Sequence, residues 1–230
     1  MAILTASGRA ALAAAIKVQT LHLALGEGDP LWDTSREIGT AFDAAGLIDL
    51  GALHLSDIRV TALDGHTLYA LDVDYSANAR EGLIRRLPAS TIPEQGEVWV
   101  RFQIGHPPEP VVQTALLREV ARRVVDEVYF VAPDPEGVIT VPTGRYRLVP
   151  EPTNHLFIRV RFDFEDAARS VVREQGLFVG TQTDPALPIG QKLFAPTQLT
   201  DPGILLVLQN SVPIVRQPST RETFEFVVTF

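Results

Sequence analysis

Cysteine is absent from the 230 residues, which excludes a disulfide framework and any thiolate-ligated metal site. Long apolar runs are absent as well. Ala10–Ile16, the longest near the start, falls far short of the roughly twenty residues a membrane-spanning helix needs. Arg9 ahead of that Ala-rich run has the order of a signal peptide, but the apolar part is short and weakly hydrophobic. The expectation is an unprocessed chain made in the cytoplasm, with no membrane insertion. Basic residues are in deficit, 20 Lys and Arg against 28 Asp and Glu, for a formal charge of −8. A broad phosphate-binding surface needs the opposite balance, so no nucleic-acid partner is expected. None of the five histidines pairs with another His or a carboxylate at metal-ligand spacing. A Gly-x-Ser-x-Gly elbow is also missing.

What is present is ordinary for a folded soluble protein: 46% apolar and 21% charged residues, enough chain for one substantial core or two small ones. Residues 5–17 read as a helix, with Thr5 or Ser7 as cap and Leu12 and Ile16 four apart on one face. A strand over Thr20–Leu25 runs into Gly26-Glu27-Gly28-Asp29-Pro30, which ends it. From Trp32 to Gly105 the texture is one of short alternating strands. Ile58, Val60 and Ala62 share a face, and Asp64-Gly65 signals a hairpin whose return strand carries Thr67, Tyr69, Leu71 and Val73. Val98, Val100, Phe102 and Ile104 alternate after a Pro93–Gly96 turn.

Val112, Leu116, Val120 and Val124 recur every four residues, and Glu119 with Arg123 would pair on a helix, so a helix to about Arg122 and then a strand to Ala132 is predicted. Leu156 to Phe164 alternates cleanly. Ile204–Leu208 is a continuous apolar run of the kind found in a strand covered on both faces. Phe224, Phe226, Val228 and Phe230 alternate with polar or smaller residues, predicting a final strand locked into a sheet. The fold class is therefore α+β, mainly β: an N-terminal helix packed on antiparallel sheet, with a small inserted β domain. The predicted division is a core domain of residues 1–31 plus 106–230 and an inserted β-rich domain of residues 32–105.

Several groupings invite chemistry and have plainer readings. His66 with Asp72 and Asp74 could hold a metal, but a polar sheet face explains them. Gly26–Asp29 lacks the Lys and Ser/Thr of a phosphate loop and reads as a turn. Asp163, Glu165 and Asp166 could serve hydrolysis or bind calcium, and fit equally a solvated strand face. Trp32, Tyr69 and Trp99 could stack on sugars, with packing or an interface the plainer role. No catalytic residue, cofactor or metal ligand is assigned, and no enzymatic activity is expected.

Two stretches resemble the phage tail-collar fibre and baseplate proteins of Mu-like and other tailed phages. The first is Ile3-Leu4-Thr5-Ala6-Ser7-Gly8-Arg9 through Ile16, followed by Leu21–Gly28. The second runs from Thr114 through Leu117-Arg118-Glu119-Val120 and Arg122-Arg123 to Val172-Arg173-Glu174-Gln175-Gly176-Leu177-Phe178, whose Arg-Glu-x-Gly-Leu-Phe run is the most specific element. The resemblance covers residues 1–30 and roughly 110–180. Residues 32–105 look like an insertion, and the part after 185 departs from the usual passage into a long fibre shaft, as does an end at Phe230. It implies a structural virion protein of the tail or baseplate, made in the host bacterial cytoplasm. Such a protein would bridge tail proteins and tail fibres in a multi-copy symmetric assembly. A receptor- or glycan-binding module at the tail tip is the alternative, and a baseplate-associated cell-wall hydrolase the more distant one. Arg173, Glu174, Gly176, Phe178 and Phe194 are the candidate subunit-contact residues. The Pro-rich stretch 183–202 around Phe194 is expected to be an irregular arm that orders on a neighbour.

Overall fold

The computed structural model describes residues 2–230. In chain order it contains helix α1 (Ala6–Lys17) and strand β1 (Leu21–Gly26), then six strands: β2 (Ser35–Ala41), β3 (Leu47–Asp49), β4 (Leu55–Ala62), β5 (Tyr75–Asn78), β6 (Leu83–Arg86) and β7 (Glu97–Ile104). Five more follow, β8 (Glu119–Val124), β9 (Glu127–Pro133), β10 (Ile139–Val141), β11 (Gly144–Leu148) and β12 (His155–Phe162). The last are β13 (Val171–Val179), β14 (Gln182–Thr183), β15 (Leu193–Phe194), β16 (Leu199–Asp201), β17 (Ile204–Val215) and β18 (Glu222–Thr229). The protein is mainly β, with one α-helix and antiparallel sheets. By internal contacts it forms two compact units. Unit 1 takes the chain up to Gly28 together with Val111–Phe230; unit 2 is Asp29–Pro110.

Unit 1 is built on two five-stranded sheets, ordered β15-β8-β1-β13-β17 and β10-β11-β9-β12-β18. Leu21, Leu23, Leu25, Leu177 and Val179 of the first sheet and Ile158, Val160 and Phe162 of the second share one buried cluster, so the sheets pack face to face. Thr5 caps α1 by accepting the Gly8 N–H. Of the helix, Ala13 is buried and Ile16 packs on the cluster, whereas Leu12 is about half exposed. The inward stripe is thus Ala13 and Ile16, one position round from the predicted Leu12–Ile16 face.

The alternation read from the sequence holds in β7 and β12. Val98, Val100, Phe102 and Ile104 are all buried, as are Leu156, Ile158, Val160 and Phe162. Three predictions fail. No helix forms over 111–122: residues 111–118 are irregular, and β8 begins at Glu119. Val120 and Val124 are β-branched, and a register shift against Leu25/Gly26 makes Val120 an extra residue in β8, which brings Glu119 to the face of Arg122, so it pairs there and not with Arg123. The return strand over 67–73 reduces to a single bridge between Thr61 and Leu68, because Asp72 adopts φ 63 and breaks the extended run. Its Asp64-Gly65 turn does form, with the Gly65 N–H bonded to the Ala62 carbonyl. The third failure concerns β17, which lies at a sheet edge, where Ile204 is 67% exposed; the 204–208 run is not covered on both faces.

Unit 2 has two three-stranded sheets, β2-β7-β4 and β3-β6-β5, around Phe42, Val60, Tyr75, Ile84, Ile92, Val100 and Phe102. Asp74 is 7% exposed and works as a staple: it accepts the N–H of Ala70 and both the N–H and hydroxyl of Thr91. Those bonds hold its carboxyl below the ordinary range. The sequence grouping of His66, Asp72 and Asp74 therefore resolves into a loop brace. Among the described residues no group of three or more His, Asp or Glu is placed to share a metal ion.

The Asp163–Ser170 connection, which carries the chain from one sheet to the other, is fixed by arginines. Arg216, fully buried, donates to the main-chain oxygens of Asp163 (2.9 Å) and Asp166 (3.2 Å), and Arg123 reaches both carboxylates. Ala167 and Arg169 hold φ of 53 and 66 in this turn, a conformation that needs outside support. Asp163 and Asp166 thus hold an ion network. Arg216→Leu leaves two carbonyls without their donor and Glu222 without its ion-pair partner at 3.8 Å, and is expected to destabilise unit 1 in urea unfolding by about 1–3 kcal/mol for each buried acceptor left unmatched.

Candidate protein-docking surface

Strand β1 is buried along its whole length. Its Leu21, Leu23 and Leu25 face the shared core. Ala24 on the other side belongs to a separate cluster with Leu116 and Phe178, packed by Leu205 and Leu208. The outer face of the first sheet is therefore covered by the chain itself, through residues 111–118. Two features hold that cover in place. The carboxylate of Glu174, itself 0% exposed, accepts the Leu117 N–H at 3.0 and 3.3 Å and lies 3.5 Å from the Gln113 amide. Gly176 clears the space Leu116 occupies. A Cβ there would stand 2.9 Å from Leu116 Cδ2, 2.9 Å from Phe178 Cε2 and 3.0 Å from Leu205 Cδ1. Beside this clasp Glu27 donates its N–H to the Arg118 carbonyl at 2.9 Å, and their side chains pair at 3.2 Å.

The five candidate contact residues fall around this cover. Glu174, Gly176, Phe178 and Phe194 are buried within unit 1 and touch their own chain, while Arg173 is partly buried and donates to the Glu27 carbonyl. Phe194 packs edge-on against His22 at 5.9 Å, and β15, which carries it, pairs with β8. The 183–202 stretch is thus not a free arm. β14 pairs with β16, β15 joins the first sheet, and the segment folds onto its own unit. Sequence reasoning passed over Arg122. This residue is 1% exposed and sits with its guanidinium 3.7 Å from the Phe178 ring centroid, bonded to Glu119, the Thr181 hydroxyl and the Pro202 carbonyl. Its position opposite Ala24 in a strand gives the only signal, and the helix assignment hid it.

The surface that remains open lies where the two sheets part. β17 and β18 follow one another in the chain but end different sheets, so each has one unpaired edge. Between them is a cleft of about 490 Å³ lined chiefly by Val207, Ile214, Phe224, Phe226 and Val228, with Gln175 and Gln209. β17 spans 12 residues without one charged side chain, and Ile204, Val212 and Val215 are 67, 76 and 58% exposed. Exposed edges in isolated proteins are commonly guarded by charge. Here the guards are Pro213 and two register shifts, one opposite Val172/Glu174 and one opposite Leu177/Phe178 that makes Leu206 an extra residue, and Val207–Asn210 pairs in regular register between them. This arrangement can accept an extended, apolar strand. Glu225 is the one titratable side chain among its lining residues.

Two titrations report on the covered face. Burial raises the Glu174 carboxyl above the ordinary glutamate range, against the pull of the N–H groups it accepts. The folded state then holds the proton more tightly than the unfolded chain, so this group's contribution to stability declines as pH rises from the unfolded value through the folded one. Glu174→Gln should remove that decline, read as the slope of the urea midpoint against pH. His22 runs the other way. Burial, aided by the Arg122 charge, lowers it to about 4, so stability present above pH 6.5 is lost as pH falls towards 4. At about 1.4 kcal/mol per unit the loss is roughly 3 kcal/mol, and His22→Phe should abolish it in the same pH series.

Among curated proteins no match was found. The family model described as "Baseplate wedge 3 tail fiber network component" matches residues 1–53 and 102–230. The unmatched interval, 54–101, lies inside unit 2. The matched residues contain all of unit 1: α1, the covered face of the first sheet, and the β17–β18 cleft. A tail location in the virion, among other baseplate and tail-fibre proteins, follows from that match, and among the described residues no helix is long and apolar enough to cross a membrane. The chain belongs to the baseplate wedge 3 tail fiber network component family of phage baseplate proteins.

Proposed function

We propose that this chain is a structural, non-catalytic subunit that bridges baseplate proteins and tail fibres, and that it does so by receiving an extended apolar segment of a tail-fibre protein at the β17–β18 cleft. The observation that carries this reading is the uncharged 12-residue edge strand facing an apolar cleft. A strand added there would satisfy the free main-chain groups of β17, and its alternate side chains would fill the space above Val207, Ile214 and Phe226. Burying that apolar lining supplies the affinity, since no charged pair is available on β17 to do so. In this reading unit 1, with its N-terminal helix docked on the sandwich, is the tail-collar-like core. Unit 2 is an insert, and repetition of unit 1 around the tail axis makes the assembly multi-copy and symmetric. Arg173, Glu174, Gly176, Phe178 and Phe194 serve the contact indirectly, by holding the first sheet and hence β17 in place.

The test places charge on the edge without touching the core. Ile204→Lys and Val212→Lys, both at exposed positions, should leave the thermal unfolding of the purified chain unchanged. In particles assembled with the double variant, fibre occupancy counted by electron microscopy should fall by about tenfold or more, the loss that a binding penalty of about 1.4 kcal/mol produces. Full fibre occupancy sinks the proposal. So does a loss of self-association of the purified chain with fibres still attached, which would make a second copy the occupant.

A further inference from the structure

The exposed face of the β2-β7-β4 sheet has a different chemistry. Pairing sets the side chains on this face in rows: Gly39, Trp99 and Thr61 in one, Glu37, Arg101 and Arg59 in the next. The opposite face feeds the core through Val98, Val100 and Phe102, so Trp99 points to solvent and keeps 38% of its surface exposed. Its six-membered ring lies against Gly39. A Cβ at that position would stand 3.2 Å from Cζ3, 3.3 Å from Cη2 and 3.5 Å from Cε3. The missing side chain lets the indole rest on the edge strand with its outer surface open.

Beside the ring, Arg59 and Arg101 sit directly opposite each other, a like-charge pair that is unfavourable without an anion to share. Arg59 has a loose partner in Asp57 at 3.7 Å, with both side chains largely exposed. Arg101 makes no ion pair or side-chain hydrogen bond among the described residues. The two arginines, Ser35, Asp57 and Phe102 line a hollow of about 90 Å³, room for a group the size of a carboxylate with its first water.

We propose that this face binds an acidic saccharide, a pyranose stacking on Trp99 and its carboxylate lodging between Arg59 and Arg101. One face of a pyranose presents C–H bonds that pack on an indole, and a guanidinium meets a carboxylate through two parallel hydrogen bonds. Glu37 and Asp57 are placed to accept sugar hydroxyls. Those acceptors need hydroxyls, which a saccharide presents on most of its ring carbons and a DNA backbone does not, and this favours the saccharide. This site lies in unit 2 and does not depend on the cleft of unit 1.

Calorimetric titration of the full chain with a galacturonic acid trisaccharide tests it, with maltotriose and a thymidine trinucleotide as comparators. The acidic trisaccharide should bind with a Kd of about 1 mM or tighter, and maltotriose at least about tenfold more weakly. Trp99→Ala should abolish both. Arg101→Gln should bring the acidic trisaccharide down to the neutral one while leaving thermal unfolding unchanged, and it decides the matter alone if Trp99→Ala does not fold. No heat from the acidic trisaccharide, binding unaltered by Arg101→Gln, or tighter binding of the trinucleotide overturns the proposal.

Discussion

Strand β1 needs cover on both faces, and the rest of unit 1 is arranged around that constraint. One face is met by the second sheet; the other by residues 111–118, held down by a carboxylate that never reaches water. A buried Glu is expensive unless its oxygens are occupied, and here main-chain N–H groups of the covering segment occupy them. The segment and the acid are therefore mutually dependent. Leu116 fits because position 176 has no side chain, and Phe178 beneath it is faced by the Arg122 guanidinium. With those faces occupied in this way, the unit leaves unpaired edges at β17 and β18 and, at the other ends of the two sheets, at the short β15 and β10.

That division separates the charged interior of the unit from its uncharged edge. Three arginines of unit 1 are committed inward. Arg122 is tied to Glu119 and Pro202, Arg123 to Asp163 and Asp166, and Arg216 to the main chain of the same turn. None of the three is on the β17 edge, whose side chains are all uncharged. An interface made of main-chain hydrogen bonds and apolar contact is insensitive to salt, whereas one built on those arginines would weaken as salt rises.

Much of the architecture was legible where period and environment agree. β7 and β12 read correctly because each has one face in a core and one facing outward or towards smaller clusters, so the two-residue period survives. The opening helix was marked by its cap and its alanines. The 111–122 segment misled because a spacing of four in apolar residues is a helical signal only if the chain between them is helical. Leu116 is apolar to cover Gly176, and Val120 and Val124 belong to a strand. The 204–208 run was read as doubly covered because an edge awaiting a partner strand and a central strand have the same composition. The order of strands in the sheets is what distinguishes them, and no local pattern carries it. For the same reason the cleft was invisible in the sequence, although Phe224, Phe226 and Val228 were recognised as facing inward. Glu174, Gly176 and Phe178 were singled out as a group, and they do meet in space; their burial was the part that the residue types could not tell.

The hydrogen bond from Glu27 to Arg118 brings the departing and returning main chain side by side at the border of unit 1. Whatever lies between them is closed by a junction already paid for in the fold of unit 1, and the entropy of closing a loop grows only with the logarithm of its length. Exchange of the intervening residues, longer or shorter, then leaves the fold of unit 1 untouched. The passage between the two residues is exchangeable as a cassette while unit 1 stays constant, and the gap in the family match falls within it.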